Sequence, residues 1–159
     1  MEPSMQTCLN TLKFDNELFL KKIATLDDDA ARQRIAEDVS PVIWIAGHLL
    51  NSRKALLGLF GETRELPHES IFKEKFDPSV DYPPMAEIKD AWVSISDDLF
   101  SRMEQASDDY FTKEIEWNFP NGDKTIRGAI LFFTYHEGWH FGQISYALKG
   151  LGMGGLLPY

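Results

Sequence analysis

TIRGAILFFTYHEGWHFGQISYALK, from Thr125 to Lys149, is the stretch on which the fold turns. It contains no proline, and the glycines at 150, 152, 154 and 155 that follow it would stop a helix, so it predicts one long helix. Steps of three and four from Ile126 pass through Ala129, Phe133, His136, His140, Gln143 and Ala147, which predicts the inward seam. Three consecutive positions on that line, His136, His140 and Gln143, are polar. Polar groups at core-facing positions are costly unless they have partners.

Upstream, Met85, Ile88, Trp92, Ile95, Leu99 and Met103 predict a third helix, bounded by Pro83 and Pro84 before it and Ser107, Asp108 and Asp109 after it. Between these two helices, alternating Ile115, Trp117 and Phe119 followed by Asn121 and Gly122 suggest a short β-hairpin. Residues 61–84 hold Gly61, Pro67, Pro78, Pro83 and Pro84 with many charges and little periodicity, and read as a long crossover. A second helix begins at Ser40 and Pro41, as N-cap and first helical residue, and runs to about Phe60 along Val42, Ile45, Leu49, Ser52, Leu56 and Leu59. Gly47, in mid-helix, suggests a neighbouring backbone that approaches closely. Leu9, Leu12, Phe19, Ile23 and Leu26 predict a first helix over about residues 5–26, with Asn16 as the polar gap and Asp27, Asp28 and Asp29 as its end. The reading is an all-α chain, a four-helix bundle with a long crossover between the second and third helices, forming one domain over residues 1–159. The tail from Gly150 is expected to be loosely ordered.

Twenty-five acidic residues against 16 basic ones give a formal net charge of -9, without a Lys/Arg run interleaved with aromatics. That argues against nucleic acid, whose phosphates call for clustered positive charge. The apolar runs at 42–50 and 129–133 are far below the roughly 20 residues that span a bilayer, so no membrane partner is expected. No secretory leader is visible at the amino terminus, and the single cysteine, Cys8, cannot form an internal disulfide. The expected location is the cytoplasm, with Cys8 as inert packing.

His136 and His140, four residues apart on one helix, can both reach one metal ion. The string from 136 to 140 also matches H-E-x-x-H, the zinc-binding helix of many metalloproteases, with Glu137 in the general-base position. Those enzymes take a third ligand downstream, but no further His, Asp or Glu follows His140. A third ligand must come from upstream. Of the remaining histidines, His68 lies in the charged, proline-rich crossover and reads as solvated. His48 lies in the apolar stretch from Trp44 to Leu50, where a neutral ring needs a partner. The expected divalent-metal ligands are therefore His48, His136 and His140, a set that leaves the ion with open positions. Glu137 is a candidate general base or, equally, an off-seam residue that orients a neighbour; Gln143 and Asn16 are candidates to face the site. Trp44 and Trp139 are expected to be core in preference to walls of a cleft.

With Trp44-Ile45-Ala46-Gly47-His48-Leu49-Leu50 in one helix and His136-Glu137-Gly138-Trp139-His140-Phe141-Gly142-Gln143 in the last, the sequence resembles the DinB-like (YfiT-like) family of metal-binding helical bundles. The resemblance implies a four-helix bundle in which His48, His136 and His140 hold zinc or nickel at a cleft, and a homodimer. It also implies a metal-dependent transferase acting on small molecules with a low-molecular-weight thiol such as mycothiol, bacillithiol or glutathione. Many relatives carry Arg before the Gly-Gln of the last motif, where this chain has Phe141. The alternatives are a non-catalytic, stress-related metal-binding bundle and, less favoured, a metal-dependent hydrolase.

Overall fold

The computed structural model describes residues 1–66 and 68–157; Pro67, which the sequence places in the crossover, lies outside the described residues, as do positions 158 and 159. Six α-helices are described: α1 (Pro3–Leu18), α2 (Asp28–Arg32), α3 (Val42–Gly58), α4 (Met85–Gln105), α5 (Asp108–Phe111) and α6 (Ile126–Gly150). The four long ones close a ring in which α1 packs on α6 and α4, and α3 packs on the same two.

Polar pairs give the helix directions. Arg53 meets Ser96 within α3 and α4, and Glu62, just past α3, pairs with Arg102 near the end of α4. The two helices therefore run parallel. Glu2 pairs with Arg127 at the start of α6, whereas Asn16 meets Trp92 and Lys13 meets Glu104, so α1 runs with α6 and against α4. A parallel neighbour can be reached only by carrying the chain back along the bundle, which is the work of the long segment between α3 and α4.

The seam predicted for the third helix is fully borne out: Met85, Ile88, Trp92, Ile95, Leu99 and Met103 are all buried along α4. The first helix differs. It ends at Leu18 and passes into a π turn, Phe19–Ile23, in which the expected Phe19 and Ile23 still point into the core. Asp27 does not only end a helix; its side chain accepts from Ala30 N–H at 2.7 Å and caps the short α2. Helix α3 starts one residue later than expected, with Pro41 as N-cap and Ser40 making no cap.

Two further expectations are corrected. The hairpin is reduced to one antiparallel bridge between Glu114 and Thr125. The turn exists, with Gly122 at φ 75°, yet Pro120 has no N–H to offer a ladder and Phe119 turns onto Phe132 and Phe133. The glycine-rich tail folds back, burying Leu156, whose N–H donates to Ser145 Oγ at 3.1 Å.

Gly47 does mark a close approach, but to a ring and not to a backbone. A Cβ built there would lie 2.2 Å from Phe72 Cε1, in a 3₁₀ turn (Glu69–Phe72) of the crossover. Gly47→Ala is expected to lower stability by about 1–3 kcal/mol through overpacking, read by urea unfolding. An unchanged midpoint would mean that Phe72 can move aside freely.

Candidate metal centre

His48 comes from the middle of α3, and His136 and His140 from successive turns of α6, which packs against it. The three rings meet. Nε2 of His136 lies 3.2 Å from Nε2 of His48 and 3.1 Å from Nε2 of His140, and the cluster's ligand atoms all lie within 4.8 Å of one another. His140 is buried, while His48 and His136 are half-buried.

The outer nitrogens fix the tautomers. His48 Nδ1–H donates to the Phe72 carbonyl at 3.3 Å, and His140 Nδ1–H donates to Gln143 Oε1 at 2.7 Å. In neutral rings both Nε2 atoms then carry lone pairs, and both face His136 Nε2. One proton on that nitrogen could satisfy only one of them, whereas a cation between the three satisfies all. The two short edges also approach the roughly 3.3 Å nitrogen spacing of a tetrahedral centre with metal–nitrogen bonds of about 2.0–2.1 Å. The residues present therefore fit a divalent metal.

The electrostatics agree. Burial holds His136 down to about 4, helped by the neighbouring His140 and His48. Burial likewise lowers His48, opposed by the Phe72 carbonyl, and lowers His140, with His48 adding to the effect. At neutral pH the rings are unprotonated and ready to ligate.

A folded-state histidine pKa below the unfolded value near 6.5 means that the unfolded chain binds more protons in the interval between the two. Stability of metal-free protein should thus fall as pH drops from about 6.5 towards 4, and His136→Ala should flatten that slope in urea titrations. Asp15 contributes with the opposite sign, its carboxyl being pushed up to about 7, but it is common to both proteins and cancels in the comparison. Equal slopes would refute the desolvation of His136.

Gln143 is exposed and not on the core face as expected; the apolar side chains of Ile130, Phe141, Ile144 and Leu148 turn the buried stripe one step round α6 and leave the histidines at its edge. It still orients His140. Trp44, half-buried, stacks on His48 at 5.2 Å, and Trp139, 57% exposed, lies 5.2 Å from the His140 ring. Both flank the centre, so the core expectation fails for Trp139. His68 is exposed, with Nε2 3.9 Å from Glu87. Cys8 is buried and its thiol pushed up by burial, as suits inert packing. The largest hollow described, about 830 Å³, runs along α3 from Asn51 to Gly58 and is not lined by any of the three histidines.

Glu137 is not one of the cluster. It is 2% exposed, and its two oxygens accept from Arg53 Nε at 2.9 Å and Nη2 at 2.5 Å. Both oxygens are thus held by a guanidinium, which supports the orienting role and not the general base. Arg53, fully buried, also donates to Asn16, Ser96 and the Leu12 carbonyl, and lies 3.8 Å over the Trp92 ring. Asn16 therefore faces this network and not the histidines. Sequence reasoning missed Arg53, although it falls four residues after Leu49 on the apolar line of α3.

Among solved structures, the chain is similar to a conserved protein from Enterococcus faecalis, with a TM-score of 0.70 and 18% identity over 96% of this chain and 99% of that one. At that identity the likeness shows the fold alone. No curated protein matches. The family model of the DinB superfamily matches residues 11–144, which include all three histidines and both halves of the buried ion pair. The chain belongs to the DinB superfamily.

Proposed function

We propose that this protein is a metal-dependent enzyme acting on small molecules, with His48, His136 and His140 as ligands of a zinc or nickel ion and a low-molecular-weight thiol as co-substrate. The observation that carries the reading is the convergence of three Nε2 atoms, with the outer nitrogens of His48 and His140 already committed to Phe72 and Gln143 and that of His136 buried without a partner. Such hydrogen bonds fix the orientation of ligating rings and raise their basicity. With three protein ligands, a bound ion keeps an open position at which it would lower the pKa of a thiol or water and supply a nucleophile at neutral pH.

The chain's own residues do the rest. Phe72 and Gln143 set the rings, Trp44 and Trp139 present aromatic faces beside them, and the Arg53–Glu137 pair ties α3 to α6 within one or two turns of every ligand. The protein's only thiol, Cys8, is buried and held protonated, so a thiol nucleophile would have to arrive with a substrate. We further propose a homodimer and a cytoplasmic setting; among the described residues no helix is long and apolar enough to cross a membrane.

The test is elemental analysis of the purified protein and of the variant with His48, His136 and His140 all changed to Ala, alongside conjugation assays with bacillithiol, mycothiol and glutathione against model electrophiles. Metal near one equivalent, lost in the variant together with conjugation, supports the reading. Metal retained by the variant overturns the centre; metal lost without any thiol turnover in the parent overturns the transferase and leaves a binding module.

A further inference from the structure

On α6, Gly138 and Gly142 lie about 200° around the helix from His136 and His140, at 100° per residue, and so face away from the candidate metal centre. There a separate hollow of about 350 Å³ opens between α1, α6 and the returning tail. Its walls include Phe14, Leu18, Phe141 and Leu156, and a Cβ built at Gly138 or Gly142 would meet nothing within 4 Å. The two glycines leave the floor open.

Into this apolar hollow the chain sets a carboxylate. Asp15 lines it, is 6% exposed, and has a buried Oδ2 without a hydrogen-bond partner. The cation that acts on it is Arg53, and Arg53 is already paired with Glu137. Counting Arg53 against Glu137 and Asp15 leaves one buried negative charge uncompensated when Asp15 is ionised. A buried carboxylate in that position must either hold a proton or meet a cation. Its carboxyl is pushed up to about 7, first by burial and then by Glu137, with Arg53 opposing both only in part. Lys149, also on the lining, has an interaction of its own.

We propose that this hollow is a second ligand site, distinct from the histidine centre, which takes a small organic amine with an apolar body, its ammonium on Asp15 and its hydrocarbon between Phe14 and Phe141. The volume suits a ligand of that size, since small-molecule sites begin at roughly 300 Å³ and combine apolar walls with few placed polar groups. The charge selects the class: an ammonium completes the Arg53, Glu137 and Asp15 group, whereas an anion would add to its excess. Gly138 and Gly142 let the ligand lie against the backbone of α6.

The experiment is calorimetric titration of the full chain at pH 8, where Asp15 is mostly ionised, with phenethylamine and with 2-phenylethanol, a neutral analogue of similar size. The amine should bind at least about tenfold more tightly, because a charge-assisted contact in a partly buried site is worth at least about 1.4 kcal/mol. Asp15→Asn should remove that preference, and Gly142→Leu, which fills the hollow, should abolish binding of both compounds, with metal content and helical circular dichroism unchanged in each variant. Equal binding of amine and alcohol, or an unchanged preference in Asp15→Asn, overturns the site and leaves Asp15 as a protonated core acid. No binding by the parent, with a dimer in sedimentation that Gly142→Leu dissociates, overturns it in favour of a second copy covering this face.

Discussion

Arg53→Met is expected to lower the free energy of unfolding by about 3–5 kcal/mol, because it strands the Glu137 carboxylate in the core. The guanidinium is fully buried and has no solvent route to replace it; its removal also takes a donor from the Asn16 and Ser96 side chains, which keep their bonds to Trp92, and from the Leu12 carbonyl. At roughly 2–4 °C per kcal/mol for a chain of this size, the melting temperature should fall on the order of 10 °C. Glu137→Leu added to Arg53→Met should recover most of the loss, since replacing both members of a buried pair by apolar groups is often neutral or stabilising. A double variant as unstable as the single one would show that the helices are held by the arginine's other contacts and not by the pair. In urea titrations the two outcomes lie several kcal/mol apart and are easily distinguished.

The second large effect concerns the metal. Added zinc at about 1,000 times its dissociation constant should raise the unfolding free energy of chelator-treated protein by about 4 kcal/mol, provided that the unfolded chain binds it poorly. His48→Ala should remove most of that gain although it leaves the paired histidines of α6 intact, because the centre needs a ligand from each of two packed helices. Zinc stabilising the His48→Ala protein as strongly as the parent would place the ion elsewhere. Thermal and urea unfolding with and without zinc read the difference directly, independent of any substrate.

Much of this architecture can be read from residue spacing, and the parts that cannot have a common cause. The seam of α4 is legible because its six positions are all apolar and its ends carry proline or acidic stops. His136 and His140 are legible because a four-residue step on one helix has one geometric meaning, and His48 because a histidine amid Trp44, Ile45, Leu49 and Leu50 has no solvent to answer it. Glu137 stands out beside His136, but its pairing with Arg53 is not legible from spacing. An arginine five residues past His48 reads as surface until the glutamate that neutralises it is known to sit opposite, and that pairing exists only in three dimensions. Gln143 errs the other way: it follows the same seam as the histidines, yet the larger apolar side chains of Ile130, Phe141 and Leu148 decide which way α6 turns. The hairpin fails at Pro120, and the continuous first helix at the π turn, which changes the winding but keeps the expected Phe19 and Ile23 in the core.

The return path from α3 to α4 has an outcome beyond topology. Since its Phe72 carbonyl fixes the ring of His48 while its side chain fills the notch at Gly47, the crossover is both tether and latch. A protease cutting at the exposed Lys75 would spare all four long helices, yet it would unfasten that latch. The nicked molecule would remain helical while any ion bound at the three histidines was lost, so metal retention would report damage before any loss of secondary structure.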